Sequence, residues 1–297
     1  MSILNIGSLN LDLVYQVPHF VQPGETLPSL SFHTFCGGKG LNQSVAAARA
    51  GARVMHAGAA GPDGQMLLDL LTESGVDISR IRKTDVPQGH AVIQTDPRGE
   101  NCILLFPGSN FELDREAADR IFASIAGPCL VLLQNEVSEL PYLIEKAYAA
   151  GCQVILNASP FDESLLRLDY GKVRWLMINE IEGKALTGSG NPEEIADILT
   201  ERCPALGLVL TLGGDGSLLR DGGRTFRQPA FSVEAVDTTG AGDTFTGYFA
   251  ASLDQGLSLP ETLRRAAAAA AISVTRRGAA PSIPTSGEVE AFLKSSC

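Results

Sequence analysis

The sequence predicts an α/β protein with a central, mainly parallel sheet flanked by helices and a small β-sheet lid beside it. Three observations carry this reading. Between 129 and 212, apolar runs alternate regularly with helix-like stretches, the mark of βαβ units. In the first third, short strand-like runs follow one another with turn signals between several of them. Three glycine-rich turns, around 37–40, 213–216 and 240–242, sit where strands or loops lead into helices or hairpins, the places where backbone N–H groups can face a ligand.

Taken in order, 3–7 alternates little and ends in glycine, as a buried parallel strand does. Asn10 and Asp12 follow, on one side of the chain at the carboxyl edge of the sheet, where open α/β folds bind ligands. They suit sugar hydroxyls or, equally, the backbone of a surface turn. Segments 11–17 and 31–36 read as strands joined by the Pro23-Gly24-Glu25 turn. Cys36-Gly-Gly-Lys-Gly-Leu-Asn42 then opens into a helix former run. It is neither a P-loop nor a dinucleotide fingerprint, because Gly-Lys-Ser/Thr is absent and no third glycine is in register. Lys39 is the cation among those glycines, with a solvated surface lysine as the alternative. The runs 53–57, 78–82, 91–95 and 102–106, the last two joined by the hairpin turn 96–99, combine with 11–17 and 31–36 into a small second sheet that would exclude water from the site.

Strands at 129–134, 153–157, 174–178 and 207–212 alternate with helices at 114–126, 139–150, 180–187 and 192–203. Polar residues cluster where those strands end: Gln134, Asn135 and Glu136, then Asn157, then Asn179, Glu180 and Glu182, then Thr211. All fall on one sheet edge. Asn157-Ala-Ser159 matches a glycosylation sequon, which means nothing without secretion. Leu212-Gly-Gly-Asp-Gly-Ser217 precedes a hairpin at 218–220 and 224–227 and suits an adenine or phosphate pocket, or a plain hairpin turn. Val236-Asp-Thr-Thr-Gly-Ala-Gly-Asp243 ends with a helix start that receives an anion. A phosphate needs no further negative charge there, so Asp243 makes most sense as the acceptor of a proton from an attacking hydroxyl, with helix capping as the alternative.

Composition narrows the partners. A net charge of −11 argues against nucleic acid and anionic membranes. The run Ala266 to Ala271 is too short to cross a bilayer, and no apolar leader follows Met1, so a cytoplasmic protein is expected. Cysteines 36, 102, 129, 152, 203 and 297 form no ligand-spaced pairs, so reduced, mostly buried thiols are expected.

Gly37-Gly-Lys-Gly-Leu-Asn42 and Asp237-Thr-Thr-Gly-Ala-Gly-Asp243 together resemble the two signatures of the ribokinase-like, or phosphofructokinase-B type, carbohydrate kinases. The likeness covers the whole chain as one kinase domain, 1–297, with a lid at about 11–36 and 89–107, and is closest to the family's ribose-phosphorylating members. It extends to Asn10-Leu-Asp12, Asn179-Glu-Ile-Glu182, Thr211-Leu-Gly-Gly-Asp-Gly216 and 275–282. What it implies is an ATP-dependent kinase with Asp243 as base and the Gly240, Ala241 and Gly242 backbone as anion hole. Asn10, Asp12, Gly38, Lys39, Asn42 and Glu136 would join Asp243 around the sugar. Asn179, Thr211, Gly213, Gly216 and Gly242 match ATP positions, and Glu182 matches an acidic residue tied to Mg2+. Asp237, Thr239, Ser273, Arg276, Gly278 and Ser282 match a loop that holds K+, partly through carbonyls. Cys36, Phe106, Asn110 and Phe111 would stand near the sugar pocket or lid, with packing the preferred role for the cysteine and both phenylalanines. One departure is Ala267, where the family often has a histidine beside the adenine.

The expected acceptor is a free neutral sugar, D-ribose first, phosphorylated at its terminal hydroxymethyl; fructose, deoxyribose or a nucleoside are alternatives. A catalytically silent sugar or nucleotide sensor is the rival from another class, against which the joint presence of base, glycines and cation loop argues. A homodimer through the lid is expected, because a projecting sheet leaves strand edges to cover.

Overall fold

Runs that are mainly apolar and do not alternate become strands buried on both faces, and the computed structural model, which describes residues 2–295, shows this from its first element, where Asn5 alone is polar. The order is β1 (Ile3–Ile6), β2 (Asn10–Gln16), β3 (Ser31–Gly37), α1 (Lys39–Arg49), β4 (Val54–Ala60), α2 (Gln65–Glu73), β5 (Asp77–Lys83), β6 (His90–Thr95), β7 (Asn101–Phe106), α3 (Arg115–Ala123), β8 (Leu130–Gln134), α4 (Leu140–Ala149), β9 (Gln153–Asn157), β10 (Trp175–Asn179), α5 (Glu180–Thr187), α6 (Pro192–Arg202), β11 (Gly207–Thr211), β12 (Ser217–Asp221), β13 (Arg224–Gln228), α7 (Ala241–Asp254), α8 (Leu259–Ser273) and α9 (Ser286–Ser295).

Among the described residues the strands form two sheets, one of nine in the order β13-β12-β11-β10-β9-β8-β1-β4-β5 and one of four in the order β3-β2-β6-β7. The large sheet is parallel from β5 to β11, and β12 and β13 close it as an antiparallel hairpin. Alternate residues of its strands feed opposite cores. Ile3, Leu130 and Leu132 pack with α1, α2, α7, α8 and α9 through residues such as Leu41, Leu67, Phe249, Leu263 and Val289. Leu4, Val131 and Leu133 pack with α3 to α6 through Ile121, Leu143, Leu186 and Ile195.

The chain leaves β1 toward β4 on one side and leaves β8 toward β9 on the other, so the strand order reverses between β1 and β8. A crevice opens outside the carboxyl ends of strands at such a point. The small sheet grows from this place, because only three residues separate β1 from β2 and β3 runs almost straight into α1.

Two readings need correction. Runs 53–57 and 78–82 belong to the large sheet as β4 and β5, not to the small one. β4 is almost wholly buried beside β1, and α2 supplies the crossover a parallel neighbour needs. Nor are the cysteines mostly buried: Cys129 and Cys152 are, Cys36 and Cys203 are half-buried, Cys102 is exposed, and Cys297 lies outside the described residues. All five described thiols are free. No helix among the described residues is long and apolar enough to cross a membrane.

Candidate active site

The site is assembled around backbone contacts that only glycine allows. A Cβ on Gly40 would lie 2.4 Å from Ser8 N and 2.6 Å from Gly7 Cα, so α1 starts directly against the chain leaving β1. That contact brings Lys39, Asn42 and Gln43 over the carboxyl ends of β1 and β8. At the other wall Gly240 takes φ 74° to begin α7, and its Cβ would meet Ala279 at 2.9 Å. The turn places Asp243 in the first helical turn, buried.

Asp243 is held from both sides. Asn42 Nδ2 donates to its Oδ2 at 3.0 Å and Gln43 Nε2 donates to its Oδ1 at 2.9 Å. Each carboxylate oxygen therefore keeps lone-pair capacity for one more donor. Asn42 Oδ1 is buried without a partner, an acceptor beside the carboxylate that a bound hydroxyl would satisfy.

Asn10, Asp12, Glu136 and Lys39 complete this end. Asn10 Oδ1 accepts from Asn110 Nδ2 at 2.7 Å, and Asn110 is fixed in turn by Leu9 N–H at 2.9 Å. Glu136 accepts from Ser8 Oγ and from Lys39 N–H at 3.1 Å. Burial, then the negative charges of Glu136 and Asp243, push the Asp12 carboxyl up to about 7. Burial likewise raises Glu136, although Lys39 opposes the rise. Burial would lower the Lys39 ammonium, but Asp243, Glu136 and Glu182 outweigh it and hold the charge. Lys39 is therefore a half-buried cation among carboxylates rather than a solvated surface lysine.

Beyond Asp243 the cleft continues as two adjoining cavities. The first, about 220 Å3, is polar and is lined by Lys39, Asn157, Asn179, Glu182, Gly240 and Asp243, among others. The second, about 560 Å3, is mainly apolar and runs between Gly213, Gly216, Phe231, Val233, Ala267 and Val274. Thr211 and Gly242 line both, so the two are continuous past the α7 N-terminus. A flat ring system fits the apolar slot and an anionic chain fits the junction, where helix N–H groups lack intrahelical partners. Ala241 N–H is spent on Thr238 O at 3.2 Å, which leaves the hole to its glycine neighbours.

Asn179 and Glu182 form a capping box on α5, each side chain accepting from the other's N–H at 2.9 Å. This fixes the buried Glu182 carboxylate at the cavity wall. One cavity carboxylate fits Mg2+, which keeps waters and takes its remaining ligands from phosphates. No group of three or more His, Cys, Asp or Glu side chains suited to a metal exists among the described residues.

Asp237 accepts from Thr239 N–H at 2.9 Å and from Gly278 N–H at 2.8 Å, tying the turn before α7 to the 276–282 loop. Ser273 and Ser282 hydroxyls donate to the carbonyls of Ala270 and Ala279, and Arg276 turns outward to Glu288. Arg276 therefore offers a cation only its carbonyl. This oxygen-rich, carboxylate-braced loop fits a monovalent ion of low charge density.

The expectation that Phe106 and Phe111 pack is wrong: both are exposed. Asn110 is the buried member of that set, and Cys36 is half-buried. The residues that sequence reasoning missed are Gln43, Ser8, and Ser159 and Thr246, which also line the polar cavity, and Asn157 entered only as a polar strand end. The available signal was Gln43 itself, a second amide beside Asn42 at the start of a helix that continues as Ser-Val-Ala-Ala-Ala.

The model of the pfkB family carbohydrate kinases matches residues 2–286. The chain is 36% identical to a ribokinase of Haemophilus influenzae, over 97% of each protein, and 32% identical to a deoxyribokinase of Salmonella typhimurium over 99% of each. The crystal structure of Arabidopsis thaliana ribokinase complexed with ribose and ATP superposes with a TM-score of 0.87, at 30% identity, covering 99% of this chain and 98% of that one.

Proposed function

Because this chain belongs to the pfkB family of carbohydrate kinases, we propose that it transfers the γ-phosphoryl of ATP to the terminal hydroxymethyl of free D-ribose, giving ribose 5-phosphate. The observation that carries this reading is the position of Asp243 at the junction of a hydroxyl-binding end and an anion-binding end. Ribose hydroxyls meet Asn10, Asp12, Asn42 and Glu136, which orient the sugar with its 5-hydroxyl at Asp243. Asp243 takes the hydroxyl proton as the oxygen attacks the γ-phosphorus in line, the P–O bond to ADP breaks, and the α7 N-terminus with Lys39 balances the charge on the transferring group. Mg2+ would be held by Glu182 with the phosphates and would neutralise charge on the leaving ADP. K+ would bind the Asp237 and 276–282 oxygens and shape the anion hole. Enzyme freed of sodium and potassium should be several-fold less active until potassium is restored, and equal activity without it would remove the ion from the reading.

The small sheet supports a homodimer. Its edge strand β7 is exposed at every residue, with Leu104 at 71% and Ile103 at 56%, and Phe32 and Phe35 are exposed on β3. Such an apolar edge needs cover, and a second copy supplies a matching one. Light scattering at micromolar concentration should give twice the monomer mass; a monomer contradicts it.

The reaction itself is tested by incubating the protein with ATP, Mg2+, K+ and ribose and assigning the product by phosphorus–carbon coupling in NMR. Phosphate on O5 supports the reading, and no phosphorylated sugar from ribose or 2-deoxyribose refutes it.

A further inference from the structure

Five polar residues beneath the acceptor end, Gln43, Gln134, Asn5, Ser44 and His56, are fully buried and line neither cavity. They form one hydrogen-bonded chain ending on Asp243, and its direction is dictated from both ends. An ionised carboxylate only accepts, so Gln43 turns its Nε2 to Asp243 Oδ1 at 2.9 Å. Gln43 Oε1 then accepts from Gln134 Nε2 at 2.8 Å, and Gln134 gives its other hydrogen to Asn5 Oδ1 at 3.0 Å. Asn5 Nδ2 donates to the Gly40 carbonyl at 2.7 Å and to Ser44 Oγ at 2.8 Å. The Gly40 carbonyl is also acceptor-only, so the far end demands the same amide orientations. Ser44 Oγ lies 2.8 Å from His56 Nδ1, and His56 Nε2 lies 3.2 Å from the Gly7 carbonyl. Burial holds His56 neutral, down to about 4, so Nε2 carries the proton and Nδ1 accepts.

We propose that Gln43 is a positioning residue for phosphoryl transfer, orienting Asp243 so that a free lone pair of its carboxylate faces the attacking hydroxyl, with Gln134 and Asn5 locking Gln43 in turn. This rests on Asp243 being the base. The other tether, Asn42, has an unpartnered Oδ1 that a sugar hydroxyl would engage, so its geometry depends on the ligand. Gln43 has no such freedom: its second N–H reaches Asn157 Oδ1 at 3.4 Å and its carbonyl is committed to Gln134. A base displaced by about 1 Å costs on the order of 10²-fold in rate, so a ligand-independent tether has a measurable catalytic effect.

The test uses full-length Gln43→Met, which removes the donor, and Gln43→Glu, which keeps the shape, beside wild type and Asp243→Asn. Folding is checked by thermal unfolding, and kcat, both KM values and pH–rate profiles are measured with ribose. Gln43→Met should lower kcat roughly 10–100-fold, keep both KM values within about threefold and move the acid limb of the profile to higher pH. Gln43→Glu should lose more near pH 8, where two carboxylates face each other, and recover partly toward about pH 6, where the introduced carboxyl can donate. If both variants keep kcat within about threefold of wild type, or lose activity only through KM, the inference is overturned although Asp243→Asn is dead. If Asp243→Asn itself turns over normally, the base assignment fails and takes the inference with it.

Discussion

The two ends of the cleft are built on opposite plans. At the acceptor end, buried side chains fix one another by hydrogen bonds: Asn110 holds Asn10, Ser8 and Lys39 N–H hold Glu136, Asn42 and Gln43 hold Asp243. At the end proposed for the nucleotide the wall is small residues and apolar side chains, with Gly213, Gly214, Gly216, Ala267, Ala270 and Ala271 facing Phe231, Val233 and Val274 across a mainly apolar slot. One end selects by charge and direction, the other by shape. Substitutions at the first should therefore reach kcat and pH dependence, and those at the second should reach nucleotide KM alone.

The contrast breaks first at Asp243. Asp243→Asn should lower kcat by about 10²–10⁴-fold while calorimetry still detects both substrates, because only proton acceptance is lost. A variant with most of its activity would show that the acceptor end binds without catalysing.

A smaller effect sharpens the electrostatic side. The Asp12 carboxyl is raised to about 7 in the folded protein, first by burial and then by Glu136 and Asp243. The folded state thus binds this proton more tightly than the unfolded chain, whose aspartates titrate near 3.9, so the associated stability is present below about pH 4 and is lost as pH rises toward 7. Wild type should lose at least about 2 °C more in Tm than Asp12→Asn between about pH 5 and pH 8. Equal losses would show that Asp12 ionises there without penalty.

The smallest effect belongs to the shape-selecting end. Ala267→Leu narrows the slot and should raise KM for ATP several-fold, leaving kcat and the ribose KM unchanged. A change in the ribose KM instead would mean that the two ends are not independent.

How legible the molecule was in its sequence follows the same division. Gly38, Gly40 and Gly240 could be read because close backbone approach and positive φ demand glycine, and Asp243 stood out as an acid where anions are expected. The alternation after 129 placed β8 to β11 and α4 to α6 nearly to the residue, and the helix expected at 114–126 is α3, which ends at Ala123. The runs that became β4 and β5 read as part of the small sheet and belong to the large one, since short apolar strands look alike until their neighbours are known. Gln43 was missed because its meaning lies in a carboxylate 200 positions away, and the adjacent amides Asn42 and Gln43 at a helix start do not by themselves point to it. Phe106 and Phe111 were read as packed because aromatic residues usually are; here Phe106 lies on the outermost strand of a four-stranded sheet and Phe111 just beyond it.

The most direct measurement is kcat/KM for ribose against fructose 6-phosphate with ATP as donor. At pH 8, where Asp12 is ionised, Asp12, Glu136 and Asp243 crowd one end of the cleft around the Lys39 ammonium, and would repel an acceptor that already carries a phosphate. Ribose should be preferred by at least about tenfold, the worth of roughly 1.4 kcal/mol of differential interaction. Preference for fructose 6-phosphate would contradict the account of the acceptor end.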